Sequence, residues 1–310
     1  MGIILVTGGA GFIGCNLVRE LVRRGERPRV LDNFFSGKRD NLAEVMDRIE
    51  LVEGSIADAN DARRACEGVE YILHLGAIPS VPRSVADPLA STWANVNGSL
   101  SLFLAARDAG VKRIVCASSS SVYGKNPELP KHENMLPMPV SPYAASKLSM
   151  EAYARACSEV YGMCIVCLRY FNVFGPRQDP QSQYAAVIPK FITAMSRGEK
   201  PTIFGDGEQS RDFSFVDNVI SANLLALETD KPVAGEAINI ACADRATLND
   251  LVRHLNDFLG TSITPDYTDP RPGDVKHSLA SIDKARDLLG YKPLVNFREG
   301  LERTVAWYLK

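Results

Sequence analysis

The sequence predicts an α/β protein: a doubly wound parallel sheet with helices on both faces, joined to a smaller, interleaved α/β domain. Six short apolar runs recur through the first half of the chain, IILVT, PRVLD, IELVE, YILHL, RIVCAS and CIVCLRY. Segments of helical period separate them, among them CNLVRELVRRG, DARRACEG and STWANVNGSLSLFLAARDAG. Parallel strands need a crossover of a dozen or more residues, usually a helix, so this alternation argues for a parallel sheet covered on both sides. From about Asn172 the pattern loosens: Pro, Gln and Gly gather in GPRQDPQSQ, and shorter elements are spaced by GDGEQSRD and TDPRPGD. The expected division is residues 1–172, with a returning segment at about 213–242, as the first domain, and 173–212 with 243–310 as the second.

Each element has a local reason. The run IILVT begins at Ile3 without a charged leader and an apolar h-region before it, so it reads as the first strand and the chain as cytoplasmic. TGGAGFIG turns it into the first helix. Several helices stop at a glycine, at Gly25, Gly68, Gly110 and Gly162, where a left-handed C-cap is wanted. Two long helices are expected, roughly 88–109 and 142–161, the second opening on a Ser-Pro pair that suits an N-cap followed by the first helical position.

At 310 residues, 45% hydrophobic and 23% charged, the chain has the composition of a soluble globular protein with a sizeable core. Lys and Arg number 35 against 37 Asp and Glu, without long runs of one sign, which argues against a nucleic-acid or membrane footprint. Any acidic substrate must therefore meet a few placed arginines. The seven cysteines are scattered and mostly flanked by apolar residues, which suits reduced, buried thiols. Cys164 and Cys167 spell CxxC, but within a run that reads as a strand, whereas a redox pair wants a helix N-terminus to lower its thiol pKa. None of the four histidines has a zinc-like spacing, and no protein-bound metal is expected.

The glycines of TGGAGFIG, Gly8, Gly11 and Gly14, lie between a strand and a helix. They allow a tight turn, close approach of a pyrophosphate, and helix-to-strand packing, while the helix N-terminus offers amides and dipole to the phosphates. Asp32 ends the second strand in VLD. A carboxylate there accepts hydrogen bonds from the adenosine ribose and repels a 2′-phosphate, so the expected cofactor is NAD rather than NADP.

In SPYAASK, Tyr143 and Lys147 stand four residues apart, on one face of a helical turn. About twenty residues earlier, ASSSSVYG places Ser118 to Ser121 at the end of the strand RIVCAS, where ligands sit in open parallel sheets. The GxxGxxG spacing, the serines and YxxxK together resemble the extended branch of the short-chain dehydrogenase/reductase superfamily, with its Rossmann-type sheet. The resemblance implies that Tyr143 is the base removing a hydroxyl proton as hydride leaves a carbinol carbon. It also implies that Lys147, with the charge of oxidised nicotinamide, stabilises the phenolate, and that Ser119 binds the same substrate oxygen.

Further matches run along most of the chain. HLGA resembles the turn beside the nicotinamide ribose, NVNG a segment whose first asparagine meets the cofactor, and LRYFNVFGPR the crossover into a nucleotide-sugar site. The implied cofactor residues are Gly8, Gly11, Phe12, Ile13, Gly14, Asp32, Asn33, Ser36, Gly37, Ser55, Ile56, Leu75, Gly76, Ala77, Asn95, Tyr143, Lys147 and Tyr170. One departs from the family: Gly-Asp-Ile after the third strand is Gly54-Ser55-Ile56 here, which removes a carboxylate partner from the adenine amino group. The implied substrate residues are Arg83, Ser119, Ser120, Ser121, Tyr143, Asn172, Val187, Phe204, Arg211, Arg271 and Ser278. Asn172 is expected on the diphosphate, Phe204 near the uracil, and Arg211 and Arg271 as a clamp on the two phosphates, where arginine's fork suits the geometry.

Relatives that remove water from C5 and C6 carry Asp-Glu after the position of Ser119, and the UDP-glucuronate decarboxylases a glutamate at the second of these positions; this chain has Ser120 and Ser121. Without that acid and base, the resemblance points to NAD-dependent 4-epimerisation of a UDP-hexose through a transient 4-keto sugar. Ser278 replaces a large aromatic found in epimerases that exclude N-acetyl sugars, so UDP-N-acetylglucosamine and UDP-N-acetylgalactosamine are expected substrates, with UDP-glucose and UDP-galactose beside them. The alternatives are a UDP-uronate 4-epimerase, dehydratase or decarboxylase of the same fold, and a catalytically silent NAD sensor. The two long helices imply a homodimer packed across a two-fold axis.

Overall fold

The computed structural model describes residues 2–180, 186–270 and 276–310, so Arg271 lies outside the described residues. Its centre is a seven-stranded parallel sheet. In chain order, β1 is Ile3–Thr7, β2 Arg29–Asp32, β3 Glu50–Glu53, β4 Val69–His74, β5 Arg113–Ser119 and β6 Ile165–Tyr170; Ala237–Ile240 adds the seventh strand. The spatial order is Ala237–Ile240, β6, β5, β4, β1, β2, β3, with every pair parallel. Strand order reverses between β1 and β4, and a ligand crevice opens at the carboxyl ends of strands on such a line.

The period of two along the strands divides the core between the two faces of the sheet. Ile4, Val6, Val30, Leu73, Val115, Val166 and Leu168 share one cluster with helices α1 (Phe12–Arg23) and Val216–Glu228. Leu5, Leu31, Ile72, Ile114, Cys116, Ile165 and Cys167 share the other, with helices α2 (Ala59–Cys66), Gly98–Asp108 and Pro142–Tyr161. Cys167 is therefore part of the packed sheet, and the Sγ of Cys164 beside it accepts from Nε of Arg113 at 3.2 Å.

The helix expected over 88–109 is a composite. After α3 (Val81–Ala86), α4 covers Pro88–Thr92, a π-helical turn covers Trp93–Asn97, and α5 covers Gly98–Asp108. The Ser99 hydroxyl takes the carbonyl oxygen of Asn95 at 2.6 Å, inside the widened turn. A Cβ at Gly98 would lie 2.9 Å from Cγ1 of Ile56, so this helix comes against the turn after β3. The next helix, α6, runs over Pro142–Tyr161 as the sequence predicts. The Ser141 hydroxyl accepts from the Ala144 N–H at 3.1 Å, Pro142 opens the first turn, and Gly162 ends the helix at φ 65°.

Beyond β6 the strands shorten to pairs: Val173–Phe174 with Ser214–Phe215, Ser210–Arg211 with Ala246–Thr247, and Thr202–Phe204 with Asp266–Thr268. Phe174, Phe213, Phe215 and Phe297 pack edge-on or stacked at 5.1–6.2 Å between ring centres and continue the cluster on one face of the sheet into this region. Among the described residues, no helix is long and apolar enough to cross a membrane.

Candidate active site

The glycine turn after β1 has no room for a side chain at Gly8 or Gly14. Gly8 sits at φ 67° with its N–H on the carbonyl of Leu31 at 2.8 Å, and a Cβ there would lie 2.8 Å from the nitrogen of Gly76. A Cβ on Gly14 would fall 2.2 Å from the carbonyl oxygen of Gly8. Gly11 precedes α1 without a capping side chain, so the helix opens through Phe12 and Ile13 on backbone amides alone.

Asp32, nearly buried at the end of β2, holds two turns at once. Its Oδ2 accepts from the Ala10 N–H and its Oδ1 from the Phe34 N–H, each at 2.8 Å. Burial pushes its carboxyl up, and the two backbone donors pull the other way. Asn33 and Ser36 are exposed beside it, and Gly37 approaches Ala10 so closely that a Cβ would lie 2.8 Å from its carbonyl carbon. The two cations of this loop are paired: Lys38 with Asp179 at 2.8 Å, and Arg39 with Glu53. A turn closed to side chains at Gly8 and Gly14, an open helix start and a strand-end carboxylate together fit a dinucleotide.

Across the crevice, Leu75, Gly76 and Ala77 follow β4 and are half-buried. The Leu75 N–H meets the carbonyl of Thr7 at 3.1 Å and the Gly76 N–H its hydroxyl at 3.0 Å. That hydroxyl also bonds Nδ1 of His74 at 2.8 Å, and Nε2 lies 2.9 Å from Ser99 Oγ. Since the Ser99 proton is given to Asn95, Nε2 carries the ring proton and Nδ1 accepts from Thr7. Burial, helped by the charge of Lys147, lowers the His74 pKa to about 3 and keeps the ring neutral. Asn95 is buried with its amide spent on protein: Oδ1 accepts from the Ile78 N–H at 2.7 Å, while Nδ2 donates to Ile78 O at 3.1 Å and Ser146 Oγ at 3.0 Å. Its visible task is to hold the chain after Ala77. Tyr170 is buried with its hydroxyl donating to Oδ1 of Asn223 at 3.0 Å, towards the helix Val216–Glu228.

At the turn after β3, Ser55 and Ile56 stand where the resemblance places adenine. The Ser55 N–H donates to Oδ2 of Asp61 at 2.9 Å, and its hydroxyl accepts from Ala57 N–H at 3.2 Å. Thus α2 brings a carboxylate to the turn that lacks one at position 55.

Ser119 ends β5 and faces Tyr143 on α6. Ser119 Oγ accepts from the Ser121 N–H at 3.2 Å, which leaves its own proton to donate to the Tyr143 phenol. The Tyr143 N–H is held by Ser84 Oγ at 3.0 Å, and its carbonyl by the Ser146 hydroxyl at 2.8 Å. Lys147, buried one turn on, lies 5.9 Å from the Tyr143 ring centre and donates to the Ala117 carbonyl at 2.8 Å. Burial lowers the lysine to about 8. It raises the phenol, and the Ser119 hydrogen bond is the opposing influence. Ser120 and Ser121 follow in a short 3₁₀ turn, both half-buried.

The expected substrate residues fall into two groups. Arg83 on α3 lies with its guanidinium 5.5 Å from the ring centre of Phe35, in the loop after β2. Asn172 (φ 34°) donates from Nδ2 to the Asp212 carbonyl at 3.0 Å. Ser210 and Arg211 run beside Lys276–Ser278: the Ser210 N–H meets the Lys276 carbonyl and the Ser278 N–H the Ser210 carbonyl, each at 3.0 Å, and Arg211 donates to both Ser210 O and Lys276 O. Asn172, Arg211 and Ser278 are therefore brought together. Val187, half-buried, opens the helix Val187–Ser196, and the Phe204 carbonyl accepts from Gln209 Nε2 at 2.7 Å.

The sequence profile of the NAD dependent epimerase/dehydratase family matches residues 4–241. The chain belongs to that family. A UDP-N-acetylglucosamine 4-epimerase from Methanobrevibacter ruminantium, solved with UDP-N-acetylmuramic acid, superposes with a TM-score of 0.94 at 44% identity, covering 99% of this chain and 98% of that one. The UDP-glucose 4-epimerase of Mycolicibacterium smegmatis is 38% identical over 308 residues, 98% of this chain and 97% of its own length. A UDP-glucuronate 4-epimerase of Thermodesulfobacterium geofontis is 32% identical over 319 residues, 99% of this chain and 96% of its own. As a member of this NAD dependent family, the protein is an enzyme whose cofactor is NAD.

For this epimerase/dehydratase chain the structure adds residues that the motifs did not name. Glu151, a further turn along α6 from Lys147, accepts from Ser118 Oγ at 2.5 Å and from Arg169 Nε and NH2 at 2.9 and 2.7 Å. Arg169 NH1 donates to Tyr123 OH at 2.9 Å, and that phenol donates to Asn239 Oδ1 at 2.7 Å. Two signals were present in the sequence: Glu151 continues the four-residue spacing of Tyr143 and Lys147, and Arg169 is a charge inside an apolar strand.

Proposed function

We propose that the protein interconverts UDP-hexoses at C4 with a tightly held NAD, accepting UDP-N-acetylglucosamine and UDP-N-acetylgalactosamine as well as the unsubstituted glucose and galactose forms. The observation that carries this reading is the Ser119–Tyr143–Lys147 arrangement, with Ser120 and Ser121 in place of an acid pair. NAD supplies a hydride acceptor that gives the hydride back. Tyr143 takes the C4 hydroxyl proton and returns it. Ser119, with its oxygen anchored by the Ser121 N–H, aims its proton at the same place and stabilises charge on the substrate oxygen. Lys147 keeps a positive charge beside the phenol. With hydride and proton both restored, no outside oxidant or second substrate enters the balance. Asn172 and Arg211 bind the diphosphate, and the small Ser278 leaves space for an acetamido group.

In this reading residues 1–172, with 213–242, hold the cofactor, and 173–212 with 243–310 hold the UDP-sugar. Two copies pair through the composite helix over 88–109 and α6. Leu89 on α4, Trp93 at the start of the π turn and Val160 on α6 are 82%, 60% and 72% exposed, which a partner copy would cover.

The test is incubation of the purified protein with UDP-glucose, UDP-N-acetylglucosamine and UDP-glucuronate separately, without added oxidant, and chromatographic separation of the C4 epimers. Epimers are expected from the first two. Turnover of UDP-glucuronate alone would replace this reading with the uronate one, and stable stereochemistry in all three would end it.

A further inference from the structure

Asp212 is fully buried where three separated segments meet. Its Oδ1 accepts from the Cys242 N–H at 2.9 Å, its Oδ2 from the Ala280 N–H at 3.3 Å, and the Ala243 N–H also bonds the carboxylate. Ala243 stands at φ 54°, a left-handed conformation that an alanine adopts only where its surroundings demand it. Burial pushes the acid up to about 7, against the pull of these backbone donors. The same residue's carbonyl oxygen takes Nδ2 of Asn172 at 3.0 Å.

These contacts matter for what sits beside them. Arg211 is the preceding residue, Asn172 is held directly, and Ala280 lies two residues after Ser278, whose own N–H is bonded to Ser210. The carboxylate thus ties segments 242–243 and 280 to the residue that follows Arg211, two residues from Ser278, while the main-chain carbonyl of the same residue holds Asn172. Ser119, Tyr143 and Lys147 stand on β5 and α6, outside this junction.

Resting on the function proposed above, we propose that Asp212 is a positioning residue for the nucleotide-diphosphate end of the substrate: it contributes to binding and not to the hydride and proton chemistry. Its two oxygens take backbone N–H groups from two segments, 242–243 and 280, so replacing one oxygen by an amide nitrogen sets donor against donor and lets those segments part.

The test compares wild type with Asp212→Asn by calorimetric titration with UDP, by kcat and KM for a UDP-hexose, and by NAD retained after gel filtration. Expected are rises of about ten- to a hundred-fold in the UDP dissociation constant and in KM. The kcat at saturation should stay within about threefold, and bound NAD should be unchanged. If Asp212→Asn does not fold, Ala280→Pro, which removes the N–H on Oδ2 and leaves the charge, should move the same two quantities in the same direction. UDP binding as tight as wild type in the folded variant overturns the proposal, and so does a parallel loss of NAD and kcat. Wild type that neither binds UDP nor epimerises a UDP-hexose overturns the functional reading and this inference with it. Intact wild-type activity with an unaffected variant overturns this inference alone.

Discussion

Lys147 donates to the carbonyl oxygen of Ala117 at 2.8 Å, which ties the helix of the candidate base to β5 two residues before Ser119. One of three ammonium protons is used in this way, leaving two for the ligand side. Because burial lowers the lysine to about 8, its charge is held below that pH and lost as pH rises through it. If that charge supports the Tyr143 phenolate, kcat should fall on the alkaline side with a midpoint near 8. Lys147→Arg, which keeps its charge, should lose this limb at some cost in rate, whereas Lys147→Met should be slow throughout. Steady-state profiles from pH 6 to 10 check this, and an alkaline limb that persists unchanged in Lys147→Arg would assign it to another group.

The Ser119 oxygen accepts from the Ser121 N–H at 3.2 Å, and its orientation is therefore set by the backbone of the following turn. Ser119→Ala should lower kcat by about 10²–10³, the range for removing one donor to a developing oxyanion. Tyr143→Phe should lower it by about 10²–10⁴, the range for a lost general base. Both variants should still copurify with NAD, since neither residue supports the glycine turn. Activity and bound-cofactor measurements on the same preparations separate a chemical defect from a binding one.

The doubly wound sheet and the glycine turn were legible because their signals are local: strand period, helix period, and glycines where a Cβ has no room. Asp32 was legible for the same reason. The buried polar contacts were not, because their partners are far apart in sequence. Arg169 announces a charge within an apolar strand, but nothing nearby names Glu151, 18 residues earlier, or Tyr123, 46 earlier. Asn95 shows a further limit. Its motif names the residue, yet only the three-dimensional packing shows its amide occupied by Ile78 and Ser146. The π turn there was hidden too, since it depends on the contacts of Asn95 and Ser99 and not on the helical period of the segment.

Ser278 is half-buried and bonded through its N–H to Ser210, beside Arg211. A phenol ring at this position would occupy the space assigned to the acetamido group. Ser278→Tyr should reduce kcat/KM for UDP-N-acetylglucosamine by about 10²-fold or more, while turnover of UDP-glucose stays within about threefold of wild type. Paired assays on the two substrates measure the ratio directly. An equal loss on both would place the acetamido group elsewhere.

Arg169 and Glu151 form a two-pronged ion pair with side chains only 5% and 8% exposed. Such a pair is weak evidence of net stabilisation, because taking both ions out of water costs about as much as their attraction returns. Removing one partner is different, since the other charge is left buried. Glu151→Leu should cost about 3–5 kcal/mol in unfolding free energy, visible as a lower midpoint in urea. It also frees Ser118 Oγ, next to Ser119, so the remaining folded enzyme should turn over more slowly. The double variant Glu151→Leu, Arg169→Leu should recover much of the stability without recovering the rate. That split would assign Glu151 a role in holding β6, and through Ser118 β5, against α6, whereas joint recovery of rate and stability would make the pair a structural contact alone.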